Sequence, residues 1–136
     1  MDNTQYKHLS HCKYLCQYHL IWCPKFRFDV LKGEVEVSLK RILTEIATKY
    51  DYEILEMEVM PDHVHVFIGA KPTVAPTDIV RTLKSISAIE LFKEFPSLKR
   101  FYSRCGSLWS PGKFISTIGK VSEATIRKYI QDQKNT

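Results

Sequence analysis

The chain has 136 residues, 44% of them hydrophobic and 26% charged, with a formal net charge of +5. That length suits one domain spanning 1–136 with its own core, and the composition excludes a disordered chain. No apolar run is long enough to span a membrane and Met1–Gln5 lacks a basic or apolar leader, so a cytoplasmic protein with reduced thiols is expected.

Residues 1–12 are polar and read as flexible. Cys16, Tyr18, Leu20 and Trp22 alternate with Gln17, His19 and Ile21, which predicts a strand from Lys13 to Cys23, closed by Pro24. Lys25-Phe26-Arg27-Phe28 follows as a basic and aromatic turn. Val35, Leu39, Ile42, Leu43, Ile46 and Tyr50 recur at helical spacing and predict a helix over 34–50 with one buried stripe. From Tyr52 to Met60 the pattern alternates again, with Leu55, Met57 and Val59 on one face and Glu56 and Glu58 on the other.

Pro61-Asp62 breaks that strand and leads into His63-Val64-His65-Val66-Phe67-Ile68, so the two strands form an antiparallel hairpin. Alternation places Val64, Val66 and Ile68 over a core and His63, His65 and Phe67 on the opposite face. Two imidazoles with Cα atoms roughly 6.6 Å apart, at about 3.3 Å per residue, can close on one metal ion. A sheet surface that merely carries two histidines is the bland alternative, because short motifs often match by chance.

After the loop Lys71–Pro76, Thr77 is a candidate N-cap for a helix running to Phe95 and stopped by Pro96. Its inward residues are Ile79, Val80, Leu83, Ile86 and Leu91. Ser97–Gly112 reads as a loop rich in arginine and aromatics, and Lys113–Ile118 as a last strand. Gly119-Lys120 links it to a final helix over 121–133, with Ser122 as N-cap and Val121 and Ile126 as a hydrophobic staple. The order β-α-β-β-α-β plus one helix predicts an α+β, ferredoxin-like antiparallel sheet with two helices on one face.

On the final helix Tyr129 and Gln133 stand at i and i+4 and share a face. They either pack or serve chemistry: a tyrosine nucleophile, and an amide oxygen that joins His63 and His65 around an ion with open positions. A rival set, His8, His11, Cys12, Cys16 and His19, has zinc-type ligands but no common zinc spacing. Around Phe92–Trp109, rings interleave with Lys99, Arg100 and Arg104, a pattern suited to splayed bases and phosphates, or to a core beside a solvated face.

Together the chain resembles the single-tyrosine HUH transposases of small bacterial and archaeal insertion sequences, the IS200-like family. The resemblance rests on Cys23-Pro24-Lys25-Phe26-Arg27, Met60-Pro61-Asp62-His63-Val64-His65, Leu83-Lys84-Ser85, Leu108-Trp109-Ser110, Ile118-Gly119 and Tyr129-Ile130-Gln131-Asp132-Gln133. It implies metal-dependent cleavage and rejoining of single-stranded DNA through a 5′-phosphotyrosine, with hairpins at the element ends as partner. It implies His63, His65 and Gln133 as ligands of Mg2+ or Mn2+, and Tyr129 as the nucleophile. It also implies a homodimer, with Tyr129 and Gln133 docking on the partner to give composite sites in trans. Lys25, Arg27, Lys84, Lys99, Arg100, Arg104 and Trp109 are the candidate DNA contacts. The family pattern often has Lys-Gly at Lys84-Ser85 and Tyr at Phe26, neither at the chemistry. A non-catalytic single-strand binding module is the alternative function, and a structural zinc protein a third.

Overall fold

Alternating segments become strands and 3.6-period segments become helices. The computed structural model describes residues 6–9, 11–117 and 123–133. In chain order the elements are β1 (Lys7–Leu9), β2 (Cys12–Tyr14), β3 (Gln17–Trp22), α1 (Glu34–Tyr50), β4 (Glu53–Met60), β5 (His63–Gly69), α2 (Pro76–Glu94), α3 (Pro96–Phe101), β6 (Phe114–Thr117) and α4 (Glu123–Asp132). Four strands form one antiparallel sheet in the order β4-β5-β3-β6, the ferredoxin-like arrangement.

The core lies between one sheet face and the helices. Leu20 and Trp22 from β3 and Val64, Val66 and Ile68 from β5 are fully buried, and they share one cluster with Leu39 and Leu43 of α1 and with Ile79, Leu83 and Leu91 of α2. Leu39, Ile42, Leu43 and Ile46 are the helical stripe the spacing predicts. The helix stops where Asp51 enters the left-handed region at φ 61° and its N–H returns to the Ala47 carbonyl. Tyr50 falls past the stripe and is exposed.

Several boundaries differ from the sequence expectation, each for a local reason. The long first strand is two: β2 pairs with β1 in a small hairpin, and only Gln17–Trp22 joins the main sheet. Lys7–Leu9 is therefore ordered into a strand rather than loose. A register shift between Ile54 and Glu56 turns Leu55 outward and Ile54 onto the core in its place. Pro76 takes the first helical position of α2, so Ala75 and not Thr77 is the N-cap. Pro96 ends α2 but also begins α3, because a proline needs no N–H at a helix start. The expected Gly119-Lys120 link, Ser122 cap and Val121 staple lie outside the described residues. Among the described residues no helix is long and apolar enough to cross a membrane.

Leu20 sits at the centre of the sheet with no exposure. Leu20→Ala should cost about 2–5 kcal/mol of unfolding free energy in urea melts. Val37→Ala, on an exposed turn of α1, should stay within about 0.5 kcal/mol of the parent.

Candidate active site

The hairpin joining β4 to β5 fixes where the histidines point. Met60 pairs with His63 across the turn, and the alternation that seals Val64, Val66 and Ile68 leaves His63, His65 and Phe67 half-buried on the opposite, open face. Register then lines up Phe114, Ile21, His65 and Glu58 across that face.

His63 Nδ1 donates to Asp62 Oδ1 at 2.9 Å. That fixes the tautomer and leaves Nε2 with its lone pair free, the usual state of a metal-binding histidine. Asp62 Oδ2 in turn lies 3.1 Å from Arg27 Nε, in a pair that is mostly buried. Arg27 Nη1 donates to the Ile130 carbonyl at 2.8 Å, in the last turn of α4. One guanidinium thus joins the histidine strand to the helix that carries Tyr129.

His65 Nε2 stands 3.2 Å from Nδ1 of His19, whose ring stacks on Phe67 at 4.6 Å and 9°. Burial lowers the pKa of both rings; for His65 the neighbouring His19 adds to it, while Glu58 and Glu56 pull the other way. Both are neutral imidazoles at neutral pH, the form that binds a metal. The sequence reading had grouped His19 with the amino-terminal cysteines. The strand register was the signal that removes it from that set, since it faces β5. Among the described residues no three His, Cys, Asp or Glu side chains form a metal cluster, so the zinc reading has no assembled site there.

Tyr129 and Gln133 seat α4 against Phe114 and Ser110. The Tyr129 ring lies 5.5 Å from Phe114, and its buried hydroxyl has no partner among the described residues. Burial, with a smaller contribution from Cys23, raises its pKa well above the ordinary phenol value. Gln133 Oε1 accepts from Ser110 Oγ at 3.1 Å. A Cβ at Gly112 would fall 2.8 Å from that same oxygen, so a larger residue there would push the Gln133 amide aside. Among the described residues no hydrogen bond joins Gln133 to His63 or His65. The donor chemistry of His63 and His65 fits a divalent ion; in this placement His65 Nε2 is engaged by His19 and Gln133 Oε1 by Ser110, so both have to be released to join it.

Three candidate DNA contacts have other employment. Trp109 is 5% exposed, stands edge-on to Trp22, and donates to the Lys84 carbonyl and Ser87 Oγ, so its face is not open to a base. Lys84 Nζ donates to the carbonyls of Ser110 at 2.7 Å and Gly112 at 3.2 Å, which shapes the seat of Gln133. Arg27 faces inward, as described. Lys99, Arg100 and Arg104 are exposed, and Lys25 Nζ lies 5.3 Å from the Phe26 ring centre. Asp62, Ser110 and Gly112 were not singled out from sequence, because each acts through a neighbour brought from elsewhere in the chain.

Residues 12–133 match the family model described as "Transposase IS200 like". The chain belongs to that family. It is 46% identical over 120 residues to the ISDra2 transposase TnpA of Deinococcus radiodurans, covering 88% of this chain and 85% of the relative. It is 32% identical over 127 residues to the IS200 transposase of Salmonella typhimurium, covering 93% and 82%. A crystal structure from Deinococcus radiodurans R1, described as a transposase, superposes with a TM-score of 0.87 at 41% identity, covering 93% of this chain and 97% of the other. A REP-associated tyrosine transposase bound to a REP hairpin shares the fold at a TM-score of 0.51 and 16% identity, covering 93% and 68%.

The seat of Gln133 in this transposase carries a pH signature. Burial, reinforced by Lys113, lowers the Lys84 pKa from 10.5 to about 8. Between those values the unfolded chain keeps a proton that the folded chain has released, so raising the pH through the window favours folding. The stability advantage of the parent over Lys84→Met should therefore grow from about pH 8 towards pH 10.5 in urea melts. A difference that stays flat across that range would contradict the buried ammonium.

Proposed function

We propose that this transposase cuts and rejoins single-stranded DNA at the ends of its element, with Tyr129 as nucleophile and a divalent ion held by His63 and His65. The observation that carries the reading is the chain of contacts from His63 through Asp62 and Arg27 to the Ile130 carbonyl, next to Tyr129. It gives His63 the free Nε2 that a ligand needs and ties the tyrosine helix to the same strand.

When bound, Mg2+ or Mn2+ would polarise the scissile phosphate and offset its developing charge. Gln133, released from Ser110, would supply a third, neutral oxygen ligand. Tyr129 Oη attacks phosphorus and loses its proton to solvent. The bond from phosphorus to the 3′ oxygen breaks, its electron pair stays on that oxygen, and a proton completes the 3′ hydroxyl. The products are a free 3′ end and a 5′-phosphotyrosine, and attack by another 3′ hydroxyl reverses the step. The hairpin form of the substrate is motivated by the hairpin held in the distant structural relative.

Two such sites in a homodimer would act on two DNA ends, with Tyr129 and Gln133 of one chain completing the histidines of the other. The seat within one chain leaves the Tyr129 hydroxyl buried and unpartnered among the described residues, and in a composite site the contact of Arg27 with the Ile130 carbonyl would be remade with the partner's helix. A nucleophile has to leave such a seat before it reacts.

Tyr129→Phe should abolish the covalent adduct on denaturing gels while leaving DNA binding near that of the parent. Only the fragment beginning at the cut should be carried by the protein. His63→Ala, or excess chelator, should abolish cleavage as well; full cleavage in chelator would make the histidines structural.

Composite sites predict complementation. Tyr129→Phe mixed with His63→Ala, with subunit exchange confirmed, should regain cleavage, because each mixed dimer then holds one intact site. A dead mixture would place the tyrosine in cis.

A further inference from the structure

Three exposed rings stand in contact on the surface beside Arg27. Phe26, Phe28 and Phe101 are 46%, 44% and 58% exposed. Phe26 and Phe28 have ring centres 5.6 Å apart, and Phe28 and Phe101 5.4 Å. Apolar rings left in water at this level call for an explanation when they cluster.

The cluster is held from below. Tyr102, almost fully buried, packs edge-on to Phe101 at 5.0 Å and donates its hydroxyl to the Lys25 carbonyl at 3.2 Å. The Lys25 N–H is held by the Leu108 carbonyl at 2.8 Å, and Pro24 bridges to Trp109. The turn is also strained: Phe26 and Arg27, neither a glycine, sit consecutively at φ 61° and 53°. Two consecutive left-handed residues other than glycine persist where the surroundings enforce them. Here they present the Phe26 ring to solvent while sending the Arg27 guanidinium inward to Asp62.

The rim of the cluster has one sign. Apart from Arg27, which turns inward to Asp62, the cations in the stretches Pro24–Lys32 and Pro96–Gly106 are Lys25, Lys32, Lys99, Arg100 and Arg104, against one acid, Asp29. A second copy docking face to face would set this basic rim against itself. A polyanion with flat, apolar bases complements both features.

We propose that Phe26, Phe28 and Phe101 form a stacking platform for unpaired DNA bases, with Lys25, Lys99, Arg100 and Arg104 on the phosphates. The turn that carries Phe26 and Phe28 is tied to the histidine strand through Arg27 and Asp62. This inference rests on the reading of the protein as a single-strand transposase, and it names the surface through which the unpaired substrate is gripped.

The test is equilibrium binding of a fluorescein-labelled oligothymidylate, by anisotropy, in chelator and in a Tyr129→Phe background, so that no cleavage enters. Phe101→Ala should weaken binding about five-fold or more, as loss of one base stack does. Phe101→Tyr should bind like the parent. The salt slope should be unchanged by Phe101→Ala and shallower by about 0.7 in Arg100→Gln. Replacing the bases by abasic sugars should erase the difference between Phe101→Ala and its parent. Equal affinities on oligothymidylate, or a difference that survives abasic replacement, would overturn the platform. So would a change in sedimentation with binding unaltered, which would make the rings a subunit contact. Thermal melts check the fold of each variant. Adduct formation by protein with Tyr129 intact is read separately: if it persists while the platform effect is absent, this inference alone falls, and if it is absent while the platform effect holds, the catalytic reading alone falls.

Discussion

The period-two geometry of β5 is the constraint on which the rest of the structure depends. Val64, Val66 and Ile68 are sealed against the helices in a cluster of apolar side chains. Their burial therefore fixes His63 and His65 on the open face. A slip of one residue would expose three β-branched side chains and bury two histidines, a change that costs several kcal/mol in transfer terms. The strand is pinned on both sides, by β3 along Gln17–Trp22 and by β4 through the Met60–His63 turn. Core packing and site geometry are thus one specification, so the site needs no rigid loop of its own.

A second constraint joins the two halves of the site. Arg27 satisfies a carbonyl in the last turn of α4, where helical carbonyls have no partner within the helix, and it balances Asp62. The guanidinium is mostly buried, so loss of either partner would leave charge without compensation. Tyr129 occupies the opposite condition. Its hydroxyl is buried and, among the described residues, unpartnered, a cost of about 1–3 kcal/mol for a polar group removed from water. The helix is therefore held firmly at its end, through Ile130 and Gln133, and unfavourably at Tyr129 just before them.

Much of this was legible from residue patterns. The apolar stripe of α1, the hairpin of β4 and β5, and the two faces of β5 follow from spacing alone, because burial and periodicity agree there. The family assignment was legible from motifs distributed over the chain. What sequence did not expose depended on distant partners. Trp109 resembled a stacking ring until α2 supplied Ser87 and the Lys84 carbonyl to its indole N–H. Arg27 and Lys84 resembled free cations until buried acceptors claimed them. The outward turn of Leu55 required a register shift that alternation cannot encode. His19 required the β3–β5 register to reach His65.

The unfavourable features of this chain are concentrated rather than scattered, and that distribution bears on what the protein does. The left-handed pair Phe26 and Arg27 and, among the described residues, the unpartnered Tyr129 hydroxyl lie at the turn and the helix that Arg27 joins to the histidine strand. A module that only bound nucleic acid would need exposed rings and cations, which α3 and the turn at Phe26 already supply. It would have no use for a carboxylate holding one histidine by Nδ1, or for a phenol kept protonated beside that strand. Local costs of this kind survive selection where a reaction uses them, because an apolar replacement at each position would stabilise the fold. These features support the proposed reading, in which Tyr129 rests apart from its phosphate until DNA and an ion draw it from the apolar seat.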